Sequence, residues 1–258
     1  MQTSKRYSIK YINIILLIVT LILSSCASEK KTVKSEPEQK ISMAVLYFDN
    51  NSITNAKEFD PFRKGLTDSL ISDLKGLDNI VIVERTKLES VFAELKLSSS
   101  GLVDETSVKK IGRLLGVQYI LLGSFVSIGQ TLRIDARIFN VSTGVISKSA
   151  YTYGMSEDFF ELIDDLVKKI GGGLSLSIKK SEGDIEKKSA QKKIAQKKID
   201  FQAILLYSEG LDLMDKKDYS GAENKFNMAL KIEPDYKDAL QKLNEVKMMG
   251  AAPPTPLK

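Results

Sequence analysis

The sequence predicts an α/β protein, a mixed sheet with helices packed on one face, followed by a small all-α helical hairpin. Three observations predict it. Between residues 41 and 117, short apolar runs alternate with stretches whose apolar residues recur every three to four positions. From Val117 to Tyr153 the period changes to two. Beyond residue 200 the helical period returns, punctuated by Asp218 and by Pro234.

Each element follows from local chemistry. Met43 to Phe48 is a compact apolar run closed by Asp49-Asn50-Asn51, the pattern of a buried strand entering a loop. Asp60-Pro61 offers an N-cap and a proline at the first helical position, ahead of Phe62, Leu66, Leu70 and Leu74 at intervals of four. A short strand is expected at Ile80 to Val83. Thr86 and Glu89 have capping-box spacing and open a helix carrying Leu88, Val91, Phe92 and Leu95. Ser98 to Gly101 breaks it, and a further helix runs from about Glu105 to Leu115, with Gly116 as a left-handed C-terminal cap. Three strands follow, about Gln118 to Ile128, Leu132 to Phe139 and Val145 to Tyr153, with turns at Gly129-Gln130 and Ser142-Thr143-Gly144. In the middle strand Leu132, Ile134, Ala136 and Ile138 share one face, and Arg133, Asp135 and Arg137 share the other. Glu157 to Ile170 reads as a closing helix with Phe159, Leu162, Ile163, Leu166 and Ile170 inward.

The N-terminal segment gives an address. Lys5, Arg6 and Lys10 precede an apolar run from Ile12 to Leu23 that is short for a membrane-spanning helix, which needs about 20 apolar residues. It therefore reads as the core of a signal peptide, residues 1–25. Leu23-Ser24-Ser25-Cys26 resembles the bacterial lipobox, which implies cleavage between Ser25 and Cys26 and a covalent lipid on Cys26. A plain membrane anchor or an ordinary cleaved signal remains the alternative. Residues 26–40, polar and interrupted by Pro37, form a tether. Ala27 lacks the aspartate of the inner-membrane retention signal, so the resemblance implies lipid anchoring at the periplasmic face of an outer membrane.

Composition narrows the chemistry. The chain of 258 residues has no histidine and one cysteine, Cys26. Ser-His and Cys-His nucleophile pairs and mixed N/S zinc sites are excluded, and no catalytic residue, metal site or cofactor other than the Cys26 lipid is expected. Carboxylate pairs at Asp164-Asp165 and Asp212/Asp215 sit in lysine-rich helical stretches and read as solvated faces. The formal charge of +5 falls to +2 once Lys5, Arg6 and Lys10 are removed with the signal peptide. Much of the remaining positive charge lies in a Lys-rich linker, residues 179–199, so no folded basic surface for nucleic acid is expected.

Residues 81–125 resemble the CsgG family of curli-secretion lipoproteins. The resemblance rests on Glu84-Arg85, Leu88, Glu94, Leu97, Ser100-Gly101, Ile111-Gly112, Leu115-Gly116 and Gly123, with Asp135-Ala136-Arg137 and Ser142 to Ile146 in support. It implies a CsgG-like α/β domain over residues 41–178. These positions have architectural explanations: close approach at Gly112 and Gly123, a cap at Gly116 and a junction pairing at Arg85. Pore-forming members carry long inserted hairpins, whereas here Ile128 meets Leu132 through a tight turn and Tyr153 runs into the closing helix. No transmembrane barrel is expected.

Ala203 to Tyr236 is similar to one tetratricopeptide repeat. Leu206, Gly210 and Leu213 occupy first-helix packing positions, Tyr219 the turn, and Ala222, Phe226, Ala229 and Pro234 the second helix and its stop. Asp238 to Met248 adds a third helix, completing a module at 200–248 before a loose tail at 249–258. A lone repeat must dock on the first domain, self-associate or extend a partner's array. The expected function is that of a non-enzymatic, lipid-anchored adaptor in envelope assembly or secretion, with envelope proteins or peptides as partners and a possible homo-oligomer. An activator lipoprotein of a peptidoglycan synthase is the alternative, and a curli-type pore the less favoured one.

Overall fold

The computed structural model describes residues 40–53, 56–77, 79–95, 105–172, 174 and 198–251. All belong to one compact unit, Gln39–Lys258. The signal peptide, Ser25, Cys26, the tether, nearly all of the Lys-rich linker and the tail lie outside the described residues. So do Leu97, Ser100 and Gly101.

Fifteen pieces of regular structure follow one another in the described chain. Strands β1 (Ile41–Val45) and β2 (Asp49–Asn50) lead into a short helix α1 (Ala56–Phe59) and the long α2 (Phe62–Leu74). Strand β3 (Ile80–Ile82) and helices α3 (Arg85–Leu95) and α4 (Glu105–Leu115) come next. The meander β4 (Tyr119–Ile128), β5 (Thr131–Asn140) and β6 (Ile146–Met155) passes through a 3-10 turn at Ser156–Asp158 into α5 (Phe159–Gly171). Three more helices close the chain: α6 (Phe201–Asp215), α7 (Tyr219–Ile232) and α8 (Lys237–Ala251).

The sheet is mixed, in the order β3-β1-β4-β5-β6. β1 runs parallel to β3 and β4, and the meander is antiparallel. β1 and β2 both lie parallel to β4, and the buried stretch Leu46 to Phe48 bows out between them. That bow shortens the strand expected at Met43 to Phe48. Side chains of α2 satisfy its carbonyls, with Thr67 Oγ1 donating to Leu46 and Arg63 Nε to Phe48.

Helices cover both faces of the sheet, not one. Met43, Val45, Leu121, Phe125, Ile134 and Ile138 pack with α2 and α5. Ala44, Leu46, Tyr47, Ile120, Phe139 and Val141 pack on the opposite side with α3 and α4. β1 is apolar at consecutive positions because both of its faces are covered. The close approaches expected at two glycines are present: a Cβ on Gly112 would meet Val141 at 2.4 Å, and one on Gly123 would meet the Asp135 carbonyl at 2.0 Å. Gly116 takes φ +68°, the left-handed conformation of a C-terminal cap.

Two helix starts differ from the sequence reading. Pro61 is the N-cap of α2 and makes no side-chain capping bond, while the Asp60 carboxylate lies 4.0 Å from Arg63. Helix α3 begins at Arg85, which places Thr86 inside the first turn, and Glu89 accepts a hydrogen bond from the Tyr47 hydroxyl. With Thr86 inside the helix no capping box forms there, and Glu89 meets the Tyr47 hydroxyl and, at 3.8 Å, Lys64 instead.

Candidate functional site

The C-terminal helices dock on the sheet domain through α2 and α6, and one apolar core runs through both. At the start of α6, Phe201 packs against Phe62 and Phe59, with ring centroids 5.2 and 6.1 Å away. Phe62 also meets Phe125 and Phe159 edge-on at 4.9 and 5.5 Å. Midway along, the two helices come so close that a Cβ on Gly65 would meet Ser208 Oγ at 2.0 Å.

The far end of α6 is charged. Lys64 Nζ lies 2.9 Å from Asp212 and 2.8 Å from Asp215, with Glu89 at 3.8 Å. Arg85 pairs with Asp215 through Nη1 and faces Asp68 at 3.5 Å through Nε. Arg85 is only 5% exposed. Its junction pairing therefore reaches beyond the strand-helix corner to the last turn of α6. Asp212 and Asp215, expected on a solvated face, hold the two modules together instead. Only Lys216, 2.6 Å from Asp212 on the same helix, matches the sequence expectation.

The charges of this joint sustain one another. Burial alone would lower the Lys64 pKa, but the hydrogen bonds and charges of Asp215 and Asp212 outweigh it and raise the lysine above its ordinary value. Burial works against the Asp212 carboxylate too, and hydrogen bonds from Lys216 and Lys64 bring it below the ordinary range. The Tyr47 hydroxyl, raised by burial and by Glu89, stays protonated and donates to Glu89. Sequence reasoning missed Lys64, Asp68 and Tyr47. The one available signal was Arg63-Lys64 embedded between Phe62 and Leu66, charges set in the inward stripe of a helix.

The hairpin positions divide between the crossing of α6 and α7 and its margin. Ala222, Phe226 and Ala229 are fully buried, Leu206 nearly so, and Leu213 and Tyr219 pack at the margin. A Cβ on Gly210 would strike the Phe226 ring at 2.4 Å, so the glycine admits the crossing of α6 and α7. Asp218 caps α7 by accepting from the Gly221 amide at 2.9 Å, and Pro234 lies exposed beyond the helix end.

The other notable surface is the part of the sheet that α3 and α4 leave bare. Tyr151 and Tyr153 on the edge strand β6 are 51% and 67% exposed, with rings stacked at 6.4 Å and 17°. The Arg133 guanidinium lies 4.6 Å over Tyr151 and is held by two bonds to Asp135, at 2.8 and 2.7 Å. Exposed Ile128 extends this aromatic and cationic patch. No described helix is long and apolar enough to cross a membrane. Among the described residues, no group of three or more Cys, Asp or Glu side chains is placed to hold a metal ion.

A "Putative adenylate cyclase 3" of Rhizobium meliloti (strain 1021) is 28% identical over 193 residues, 70% of this chain and 30% of that protein. The chain therefore spans about a third of the length of the curated relative it matches. Among solved structures, the LpoB C-terminal domain from Salmonella enterica is 21% identical with a TM-score of 0.36, over 47% of this chain and 87% of that one. Lipoprotein GNA1162 from Neisseria meningitidis is 16% identical with a TM-score of 0.39, over 53% and 99%. Residues 26–133, from Cys26 to the middle strand of the meander, match the family described as "Curli production assembly/transport component CsgG".

Proposed function

We propose that this protein is a lipid-anchored, non-enzymatic accessory component of the cell envelope, facing the periplasm and acting by protein contact in assembly or secretion of surface material. The observation that carries the reading is the family match over residues 26–133, which opens on Cys26, the residue expected to bear the lipid. The lipid fixes the protein at a membrane, the tether gives reach, and the bare sheet face receives the partner. The C-terminal helices act as a single tetratricopeptide-like module locked to the domain by the joint. In the joint, Asp212 and Asp215 are held by cations at 2.9 Å or less, which fits a clamp and leaves neither as a free base.

An accessory role is favoured over a pore by the connections of the meander. β4 passes to β5 through Gly129-Gln130, and β6 runs straight into the 3-10 turn, with no inserted hairpin at either point. A second reading uses the same face. A stacked tyrosine pair beside an arginine is the composition of a protein-binding hot spot, which suits an activator of a peptidoglycan synthase as well as a secretion adaptor.

Two measurements test this. Metabolic labelling with a palmitate analogue is expected to mark the wild type and leave Cys26→Ala unmarked; a labelled C26A protein overturns the anchor. A photo-crosslinker at Tyr153 is expected to trap an envelope protein in cells. Recovery of a cell-wall synthase selects the second reading, a secretion component the first, and discrete conductance steps from the purified protein in planar bilayers would overturn both.

A further inference from the structure

One corner of the sheet domain gathers positive charge. Helix α4 buries Val108, Ile111 and Leu115 and turns Lys109, Lys110, Arg113 and Leu114 outward around an open depression of about 590 Å³. A second depression, of about 680 Å³, continues from Arg113 across the start of β4 to Ile41 and the turn between β5 and β6. That turn is held by the Asn140 side chain, which accepts from the Ser142 and Thr143 amides at 3.0 Å each. Lys109 lies so close along it that a Cβ on Gly144 would meet Lys109 Nζ at 2.1 Å. Lys109, Lys110 and Arg113 have no ion-pair partner among the described side chains, and Glu105 is the one acidic residue of α4.

Two further observations say what this corner fits. Apolar side chains are exposed among the cations: Leu114, 44% exposed, follows Arg113, and Val145, 57% exposed, follows the turn glycine against which Lys109 lies. Cations beside exposed aliphatic groups suit a lipid interface, where the charges meet phosphates and the apolar groups enter between them. The expected tether also ends here. Exposed Lys40 leads into β1 at Ile41, and the Ser42 amide donates to the Gln118 side chain at 3.2 Å while the Gln118 amide donates to the Ser42 hydroxyl at 3.0 Å. These bonds tie the entry strand to the end of α4. Residues 26–39 reach at most about 50 Å when fully extended, so a lipid on Cys26 would draw this corner toward the membrane before the rest of the domain.

We propose that this corner is a docking surface for anionic phospholipid headgroups, with Lys109, Lys110 and Arg113 meeting the phosphates and Leu114 and Val145 entering the headgroup layer. An anchor at one point leaves a domain free to turn, whereas a second contact fixes which way it faces. The bare sheet face would then be presented in one direction. That orientation rests on the reading of Cys26 as the lipid-bearing residue; the recognition of headgroups does not.

The test uses the mature chain, residues 26–258, with Cys26→Ala, so that no lipid of its own holds it to a bilayer. Sedimentation with vesicles of phosphatidylcholine and phosphatidylglycerol is expected to show binding about tenfold tighter than with phosphatidylcholine alone, and high salt is expected to release it. Lys110→Glu with Arg113→Glu is expected to weaken binding by about tenfold or more, at an unchanged melting temperature, because each cation near an anionic surface contributes about fivefold. Lys57→Glu with Lys231→Glu makes the same change of charge on exposed lysines of α1 and α7 and is expected to weaken it by no more than about threefold. The chain has no tryptophan, so Leu114→Trp reports on this corner alone. Its emission is expected to move to shorter wavelength when anionic vesicles are added, while that of Ile53→Trp, at an exposed position just beyond β2, stays in place. Undiminished binding of K110E/R113E, an equal loss in K57E/K231E, or an unmoved L114W emission would overturn the proposal. Binding of polyglutamate in place of vesicles would overturn it in favour of an acidic polypeptide. Because this chain bears no lipid, a failure here leaves the palmitate labelling of Cys26 to be read on its own, and the reverse holds too.

Discussion

Helix α6 is held at its two ends by opposite chemistries. At Phe201 the contact is a cluster of phenylalanines with no polar atom to satisfy, whereas at Asp212 and Asp215 it is a set of ion pairs to Lys64 and Arg85. The aromatic end gains its energy from area removed from water and tolerates small shifts of the helix. The charged end gains little net energy, since desolvation consumes most of the Coulomb attraction, but a shift of one residue would leave a buried charge alone. The first end therefore supplies affinity between the modules and the second sets their register. Neither could do both.

The comparison can be broken most strongly at Phe62, which touches Phe125, Phe159 and Phe201. Phe62→Ala is expected to cost about 3–5 kcal/mol in urea unfolding, because a large cavity opens where sheet, α5 and α6 meet. Asp215→Ala comes next at about 3 kcal/mol, from stranding Arg85 and freeing one side of Lys64. If D215A cost less than 1 kcal/mol, the charged end would not be setting the register. Gly65→Ala probes the point between the two ends. Ser208 Oγ can rotate aside, but its Cβ at 3.1 Å cannot, so a loss of about 1–2 kcal/mol is expected.

pH acts on the charged end alone, with opposite signs for its two partners. Asp212 is depressed in the folded state, so its contribution is present above the ordinary carboxylate range and is lost as pH falls through the folded value. Lys64 is raised, so its contribution is complete below the ordinary lysine value and is lost as pH rises through the folded one. Melting temperature against pH is expected to flatten on the acid limb in Asp212→Asn and to keep its shape in Phe62→Leu. The smallest effect on stability belongs to Arg133→Ala on the bare face, where no change in melting temperature is expected while crosslinking from Tyr153 falls.

The two ends also differed in how far the sequence revealed them. Phe62 announced itself by recurring with Leu66, Leu70 and Leu74, and the meander by its two-residue alternation, since both are periodicities written along one stretch of chain. Asp212 and Asp215 showed only their nearest lysine. Their deciding partners, Lys64 and Arg85, lie 148 and 130 residues away, and no local pattern registers a charge at that distance. The same blindness put Glu89 in a capping box, when Tyr47 and Lys64 approach it from other elements. The second helical layer was legible in principle. Met43, Ala44 and Val45 are apolar in succession, which is how a strand covered on both faces reads.

Gly65 makes the docking of the C-terminal helices selective at a single atom. A β-carbon on residue 65 would come within 2.0 Å of Ser208 Oγ, so any side chain there has to displace the serine before α2 and α6 can meet. The hydrogen atom of one glycine thus works as a gauge for the gap between the two helices.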